Sequence, residues 1–555
     1  MTAGPRTFHP RLPALFLLGV FVLAALLGTA GPANAHATLV SSDPAQGAVL
    51  PEPPERVRFT FSESVAAVPD GVQVFDAAGG DVPSSAAVAD DELDVTFPDG
   101  LGEGTFIVVW RVVSEDGHPV SGSLSFSVGA PSAEVTQPTT GGAGPTEVPL
   151  LLKVLRWLGY VGLFTAVGLC AFAAVVLPRS ELGDVAGSRV LRVARYGCVL
   201  TALAWFGALP VTALYQVGGD VGSLARATTW STLTPTEYAV TLAVVVGSVL
   251  AVVLLGDGHP SPRRRLAAAA VGGAAICAPA LTGHTRATSP ELLAVAADML
   301  HLAAGSFWFG GLLGLALVLP LLLAQGDVAA AVLARFSGLA AGVLVALVAT
   351  GSVLAWRVVG SWSALVETTY GRLLLLKITV AAIAVLIGAW NRYALMPRMQ
   401  DRARRGKPAA EAALVRRTTM VEAAALVGVL LLTGVLVDRS PEADAVAGPQ
   451  DVRIAMLGAL KVKASMSSLS TGPTTVTIET RDAAGEFVEG LEAPKAALSS
   501  AGMDLGPMEL TNIGPGTYTG EAVIPSSGTW RLQVSLRLSE FENPVTVLEF
   551  EIAED

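Results

Sequence analysis

The sequence predicts a multi-domain membrane protein: an extracytoplasmic β-sandwich, a polytopic α-helical membrane domain of about eight spans, and a C-terminal extracytoplasmic β-sandwich. Three observations predict it. Of 555 residues, 52% are hydrophobic and only 15% charged, which is a membrane protein's balance. Long apolar runs fill the middle of the chain, and short alternating segments flank them on both sides. The formal charge of −11 is unevenly spread, with arginines crowded into a few loops between apolar runs. That distribution argues against nucleic acid as a partner.

Residues 1–35 read as a signal peptide. Arg6 and Arg11 form the basic n-region, Ala14 to Gly28 the apolar centre, and Ala33-Asn34-Ala35 the cleavage pattern. An uncleaved anchor is the alternative, but the apolar stretch is short for a span. Cleavage after Ala35 would leave His36 as the mature N-terminus. Its α-amine and imidazole would then form a two-nitrogen chelate, which suits a tetragonal cation such as Cu(II).

Residues 36–130 contain short β-rich pieces: Val57 to Phe61, Val72 to Phe75, Leu93 to Phe97, Thr105 to Val113 and Leu124 to Val128. Pro, Gly and Asp separate them, the pattern of a small antiparallel sandwich. Residues 131–148, rich in Pro, Thr and Gly, form a linker.

The membrane domain, 149–440, reads as spans at 150–177, 193–217, 238–256, 266–282, 291–323, 334–357, 371–394 and 414–437. With the mature N-terminus outside, the inner loops carry Arg179, Arg189 and Arg192, then Arg263 to Arg265, then Arg392, Arg398, Arg402, Arg404, Arg405 and Lys407. Outer loops hold only isolated arginines, so the positive-inside rule supports this orientation. An even span count returns the chain outside, where 450–555 alternates again, as in Thr475 to Glu479 and Trp530 to Val534. Cys170, Cys198 and Cys277 all fall in apolar runs, so neither flanking domain can contain a disulfide.

The only other histidine in the N-terminal domain is His118, in Ser114-Glu115-Asp116-Gly117-His118-Pro119. Asp116 and His118 alternate around a glycine, which lets both side chains reach one ion. With His36 the donors are an amine, two imidazoles and a carboxylate. Such a set suits Cu(II) rather than Cu(I), and zinc could use similar donors. The plain alternative is an Asp-Gly turn with a surface histidine. His36-Ala37, Ser42-Asp43-Pro44-Ala45, Phe59-Thr60-Phe61-Ser62-Glu63 and Ser114 to Gly122 resemble the CopC family of copper-binding proteins. The resemblance implies one Cu(II) held by His36, Asp116 and His118. Some CopC proteins add a methionine-rich Cu(I) site, but no methionine lies between His36 and Val128.

Ionisable residues inside a bilayer are functional candidates by default. His284 stands at the expected outer mouth, followed by Asp298 and His301, three apart on one helical face, and then Trp308-Phe309-Gly310-Gly311. Asp298 and His301 could instead satisfy each other or pair with Lys377. Haem ligation by two histidines finds no supporting pair on adjacent helices. Gly283-His284, Asp298 to Leu302, Trp308 to Leu312, Tyr370 to Lys377 and Asn391-Arg392 resemble the CopD family of membrane copper-resistance proteins. Glu422 also fits that family, although Arg416 or Arg417 could simply pair with it. His284, Asp298, His301 and Glu422 are therefore the candidate membrane path, with Cu(I) the form a bilayer route would carry.

Met299, Met396, Met399 and Met420 are soft enough for Cu(I), yet methionine in apolar helices is usually filler. The C-terminal domain resembles YtkA-like domains through Gly516-Thr517-Tyr518 and Gly528 to Leu532, with Met503 and Met508 as thioether candidates. No P-loop occurs, which excludes an ATP-driven pump. The expected protein is thus not an enzyme. It is a copper binder and transporter of the cell membrane, with copper ions, lipid and an external copper donor as partners and its oligomeric state open. Import is what resemblance to CopD implies. The rivals are a copper-dependent redox enzyme of the N-terminal-histidine monooxygenase type and a copper sensor or resistance protein without transport. Asp116 would fill a position the first needs open, and the inner loops are short for the second.

Overall fold

The computed structural model describes residues 37–553 apart from 38, 46–47, 99, 133–147, 257–259, 284–289, 323–325, 360, 396, 399–408, 438–451, 470, 483–484, 491–492, 501–502, 509, 515 and 539–542. The leader, His36, most of the linker and His284 lie outside the described residues. The chain forms two compact units, one helical and one β-rich, and the β-rich unit includes the segment Thr212–Leu233.

The first β-domain contains β1 (Leu39–Asp43), β2 (Val49–Leu50), β3 (Arg56–Phe61), β4 (Val65–Asp76), β5 (Ser85–Ala89), β6 (Glu92–Thr96), β7 (Gly104–Ser114) and β8 (Pro119–Val128). They make two four-stranded sheets, ordered β1-β3-β6-β5 and β2-β8-β7-β4. The period-2 pattern decides which side chains go inside. In β3, Val57, Phe59 and Phe61 are buried while Arg58 points outward to Asp94, 2.7 Å from its Oδ1. Both phenylalanine rings meet Trp110 of β7, at centroid distances of 5.9 and 5.1 Å. Opposite Trp110 lies Gly122, where a Cβ would run into the indole. That packing holds β7 and β8 in register from Gly104↔Val128 to Val113↔Pro119, leaving residues 114–118 as the turn between them.

The second β-domain contains β9 (Arg453–Leu457), β10 (Leu460–Met466), β11 (Gly472–Arg481), β12 (Lys495–Ser500), β13 (Met503–Met508), β14 (Thr511–Gly514), β15 (Thr517–Ile524), β16 (Gly528–Ser535) and β17 (Val545–Ile552). A five-stranded sheet, β14-β15-β11-β10-β9, and a four-stranded sheet, β13-β12-β16-β17, share one apolar core around Ile478, Trp530 and Phe550. Met508 packs half-buried against that core, as a packing residue would. Glu489 joins the two β-domains. Its Oε1 accepts from the Ser123 hydroxyl of β8, from Asn512 Nδ2 at 3.1 Å and from the Gly516 amide at 3.1 Å.

The helical unit is built from α1 (Leu150–Val175), α2 (Glu181–Val217), α3 (Pro235–Leu255), α4 (Pro262–Cys277), α5 (Glu291–Leu322), α6 (Gly326–Val359), α7 (Thr369–Trp390) and α8 (Ala409–Leu436). Among the described residues, eight helical segments are long and apolar enough to cross a membrane. Several of them start earlier than hydropathy implies, and two of these take arginines into the helix. Ser261 caps α4 by accepting from the Arg264 amide at 3.3 Å, and Pro262 opens its first turn, so Arg263 to Arg265 lie within the helix. Likewise α2 begins at Glu181, which puts Arg189 and Arg192 inside it. α1 and α5 cross where Gly168 meets Gly310, and a Cβ on either would strike the other backbone. Small residues allow this approach, and close packing rather than hydrophobic exclusion holds helices together in lipid.

Candidate metal centre

The β7–β8 turn brings Asp116 and His118 together. Gly117 takes a φ of +88°, which an L side chain rarely adopts, and its amide bonds back to Ser114 O at 2.9 Å. Asp116 Oδ1 accepts from the Ser114 hydroxyl and from the His118 amide at 3.1 Å. The Ser114 hydroxyl also lies 3.0 Å from His118 O. This network aims the other carboxylate oxygen, Oδ2, at His118 Nδ1, 3.1 Å away. Both residues are 7% exposed. Ala37, next to the expected N-terminal ligand, is buried in the same domain's core. Among the described residues, no three of His, Cys, Asp and Glu converge as a metal cluster. The turn thus brings two residues of the expected set side by side.

Sequence reasoning missed what surrounds this turn. Arg111, 2% exposed, donates from Nε to Gln216 O and from Nη2 to Tyr215 O, both at 2.9 Å. Burial pushes its guanidinium below the ordinary arginine value. Ser114 was within reach of the motif, but nothing in the chain links Arg111 with residues a hundred positions later.

In the helical unit Asp298 and His301 lie on α5, but they do not bond to one another. His301 Nδ1 lies 3.0 Å from the Thr350 hydroxyl of α6, whose own proton goes to Ala346 O at 2.7 Å. Asp298 interacts electrostatically with Lys377 of α7 and with Cys277 of α4. Glu422 on α8, 3% exposed, takes Asn391 and the Trp308 indole as its partners, with Asn391 Nδ2 at 3.5 Å. Asn391 Oδ1 accepts in turn from Thr418 at 2.6 Å. Room for the carboxylate comes from Gly388, where a Cβ would sit 2.9 Å from Glu422 Oε1. Trp308 lies ten residues beyond Asp298 on α5, about 15 Å along the axis. Thr350 and Thr418 carry no sequence signal, because threonine is ordinary in apolar helices.

Comparison with known proteins follows the same division. Residues 39–129 match the CopC domain, 146–292 the copper resistance protein D-like N-terminal domain, and 330–436 copper resistance protein D. Copper resistance protein C of Xanthomonas campestris pv. juglandis is 36% identical over 118 residues, covering 20% of this chain and 91% of the relative. The chain belongs to the CopC and CopD copper-resistance families, fused in one polypeptide.

Copper transport protein CutJ of Bacillus subtilis (strain 168) is 24% identical to this CopC–CopD fusion over 368 residues, 64% of the chain and 67% of the relative. Copper resistance protein D of Pseudomonas syringae pv. tomato is 28% identical over 307 residues, 53% of the chain and 94% of the relative. The fusion is therefore a multi-pass membrane protein that handles copper.

Proposed function

We propose that this CopC–CopD fusion captures Cu(II) outside the cell membrane and carries copper inward across it. The capturing set is the His36 amine and imidazole, Asp116 and His118. The observation that carries this reading is the 3.1 Å approach of Asp116 Oδ2 to His118 Nδ1 in a buried turn, because nitrogen and oxygen donors without sulfur suit oxidised copper. The arginine distribution and the even number of spans support a reading with both β-domains outside. Copper then passes His284, Asp298, His301 and finally Glu422, ionisable positions in a largely apolar unit. Tethering the binding domain to its acceptor raises the local copper concentration at the entrance.

The test is copper accumulation in cells producing the wild type, His36→Ala or His301→Ala, each normalised to protein level. Import through this route predicts loss of uptake in both variants. Wild-type uptake by His36→Ala would refute capture at the N-terminus. A lowered protein level with normal uptake per molecule for His301→Ala would make that residue structural. Mass spectrometry of the mature terminus should find His36 first.

A further inference from the structure

Two donors in a surface turn of a small β-domain would ordinarily be open to solvent, yet Asp116 and His118 are 7% exposed. The cover includes the last turn of α2. The Tyr215 ring stands edge-on to the His118 ring, with centroids 6.4 Å apart and planes at 85°. Gln216 Nε2 reaches the carbonyl of Gly117, the residue between the two donors, at 3.4 Å. Tyr215 is 5% and Gln216 1% exposed.

The helix end is fixed to the β-domain from the other side as well. The last carbonyls of a helix have no intrahelical partner. Here Gly218 and Gly219 return their amides to Leu214 O, at 2.8 and 3.3 Å, leaving Tyr215 O and Gln216 O to Arg111. A cation at that position also complements the negative end of the helix dipole. Arg111 lies in β7, whose end runs into the turn, so one strand and the turn that follows it carry both the anchor and the two ligands of the proposed site.

We infer that Tyr215 and Gln216 are positioning residues for the copper-binding turn, so that a membrane helix sets in part how the turn holds its ion. This rests on the reading of Asp116 and His118 as Cu(II) ligands. The two residues act through His118 and Gly117 and touch no metal themselves. Groups in this outer layer fix the orientation of ligands, and their loss typically weakens metal binding 10- to 100-fold. The linkage is reciprocal: whatever displaces the end of α2 loosens the ion, and the bound ion favours one arrangement of that end.

The test uses full-length protein in nanodiscs loaded with one equivalent of Cu(II). Gln216→Met keeps the volume and removes the amide; Tyr215→Leu removes the ring and Tyr215→Phe retains it. Release of Cu(II) to a chelator and the electron paramagnetic resonance spectrum are read together. The expected result is release roughly 10-fold faster in Gln216→Met and Tyr215→Leu, with a changed copper hyperfine splitting and wild-type behaviour in Tyr215→Phe. Wild-type spectra and release rates in both Gln216→Met and Tyr215→Leu would overturn the inference while leaving Cu(II) capture intact. A wild type with no nitrogen-ligated Cu(II) signal would overturn both. Should Tyr215→Leu not fold, Gln216→Met decides alone.

Discussion

Two places in this chain set an aspartate close to a histidine, and the backbone treats them in opposite ways. In the β7–β8 turn, Asp116 and His118 flank a glycine with positive φ, and the chain folds their side chains onto each other at 3.1 Å. In α5, Asp298 and His301 share a helical face, but His301 bonds to Thr350 on α6 and Asp298 interacts with Lys377 on α7. A tight turn closes its own donors around one point. A helix presents donors sideways, and neighbouring helices decide what they meet. The first arrangement sets two side chains against each other within one turn, whereas the second leaves each polar side chain to a different neighbouring helix.

The largest effect that sharpens this contrast is expected in the helices. Asp298→Asn removes the carboxylate that interacts electrostatically with the Lys377 ammonium in an apolar unit, so a lowered Tm in detergent is expected. The double variant Asp298→Asn/Lys377→Met should recover most of that loss. Additive losses would mean that the two charges do not depend on each other. Next, His118→Ala should weaken Cu(II) binding by more than the roughly 10- to 100-fold typical of losing an outer-layer partner, while His301→Ala leaves that titration unchanged. Loss of Cu(II) binding in both would erase the distinction between the two sites.

A smaller effect is expected from Ser114→Ala, because its hydroxyl contacts both Asp116 Oδ1 and His118 O. Competition titration should find Cu(II) held about 10-fold less tightly; unchanged affinity would mean the turn holds its shape without that hydroxyl. The smallest concerns the scaffold. The Arg58 hydrogen bond holds the Asp94 carboxyl below the usual carboxylate range. A carboxylate depressed in this way contributes stability above the ordinary carboxylate pKa and loses it as pH falls through the lowered value. The pair is solvent-screened, so the contribution is slight. Wild type and Asp94→Asn should differ slightly at neutral pH and converge in acid, and a gap widening on acidification would reverse the sign.

Much of this was legible before folding because it depends on neighbours in sequence. The Ser114 to His118 turn is local chemistry: a glycine for positive φ, an aspartate to accept from the backbone, and a serine to brace both. Apolar run length likewise marks eight helices, and alternation marks the two sandwiches. Gly310 and Gly311 also stood out, yet only packing reveals their use against Gly168 and Phe336. Glu422 illustrates the limit best. Its sequence neighbours Arg416 and Arg417 offered an easy partner, but the side chain turns to Asn391 and Trp308 on other elements.

The sequence by itself therefore determined the alternation of β-rich and apolar segments, the apolar spans and the close pair Asp116 and His118, since each is set by spacing within a few residues. Only the tertiary structure decided that Arg111 grips the end of α2, that His301 rests on Thr350, and that Glu489 joins two sandwiches 366 positions apart at Ser123. Such contacts depend on which surfaces meet when long elements pack, and residue spacing along one chain carries no record of that choice.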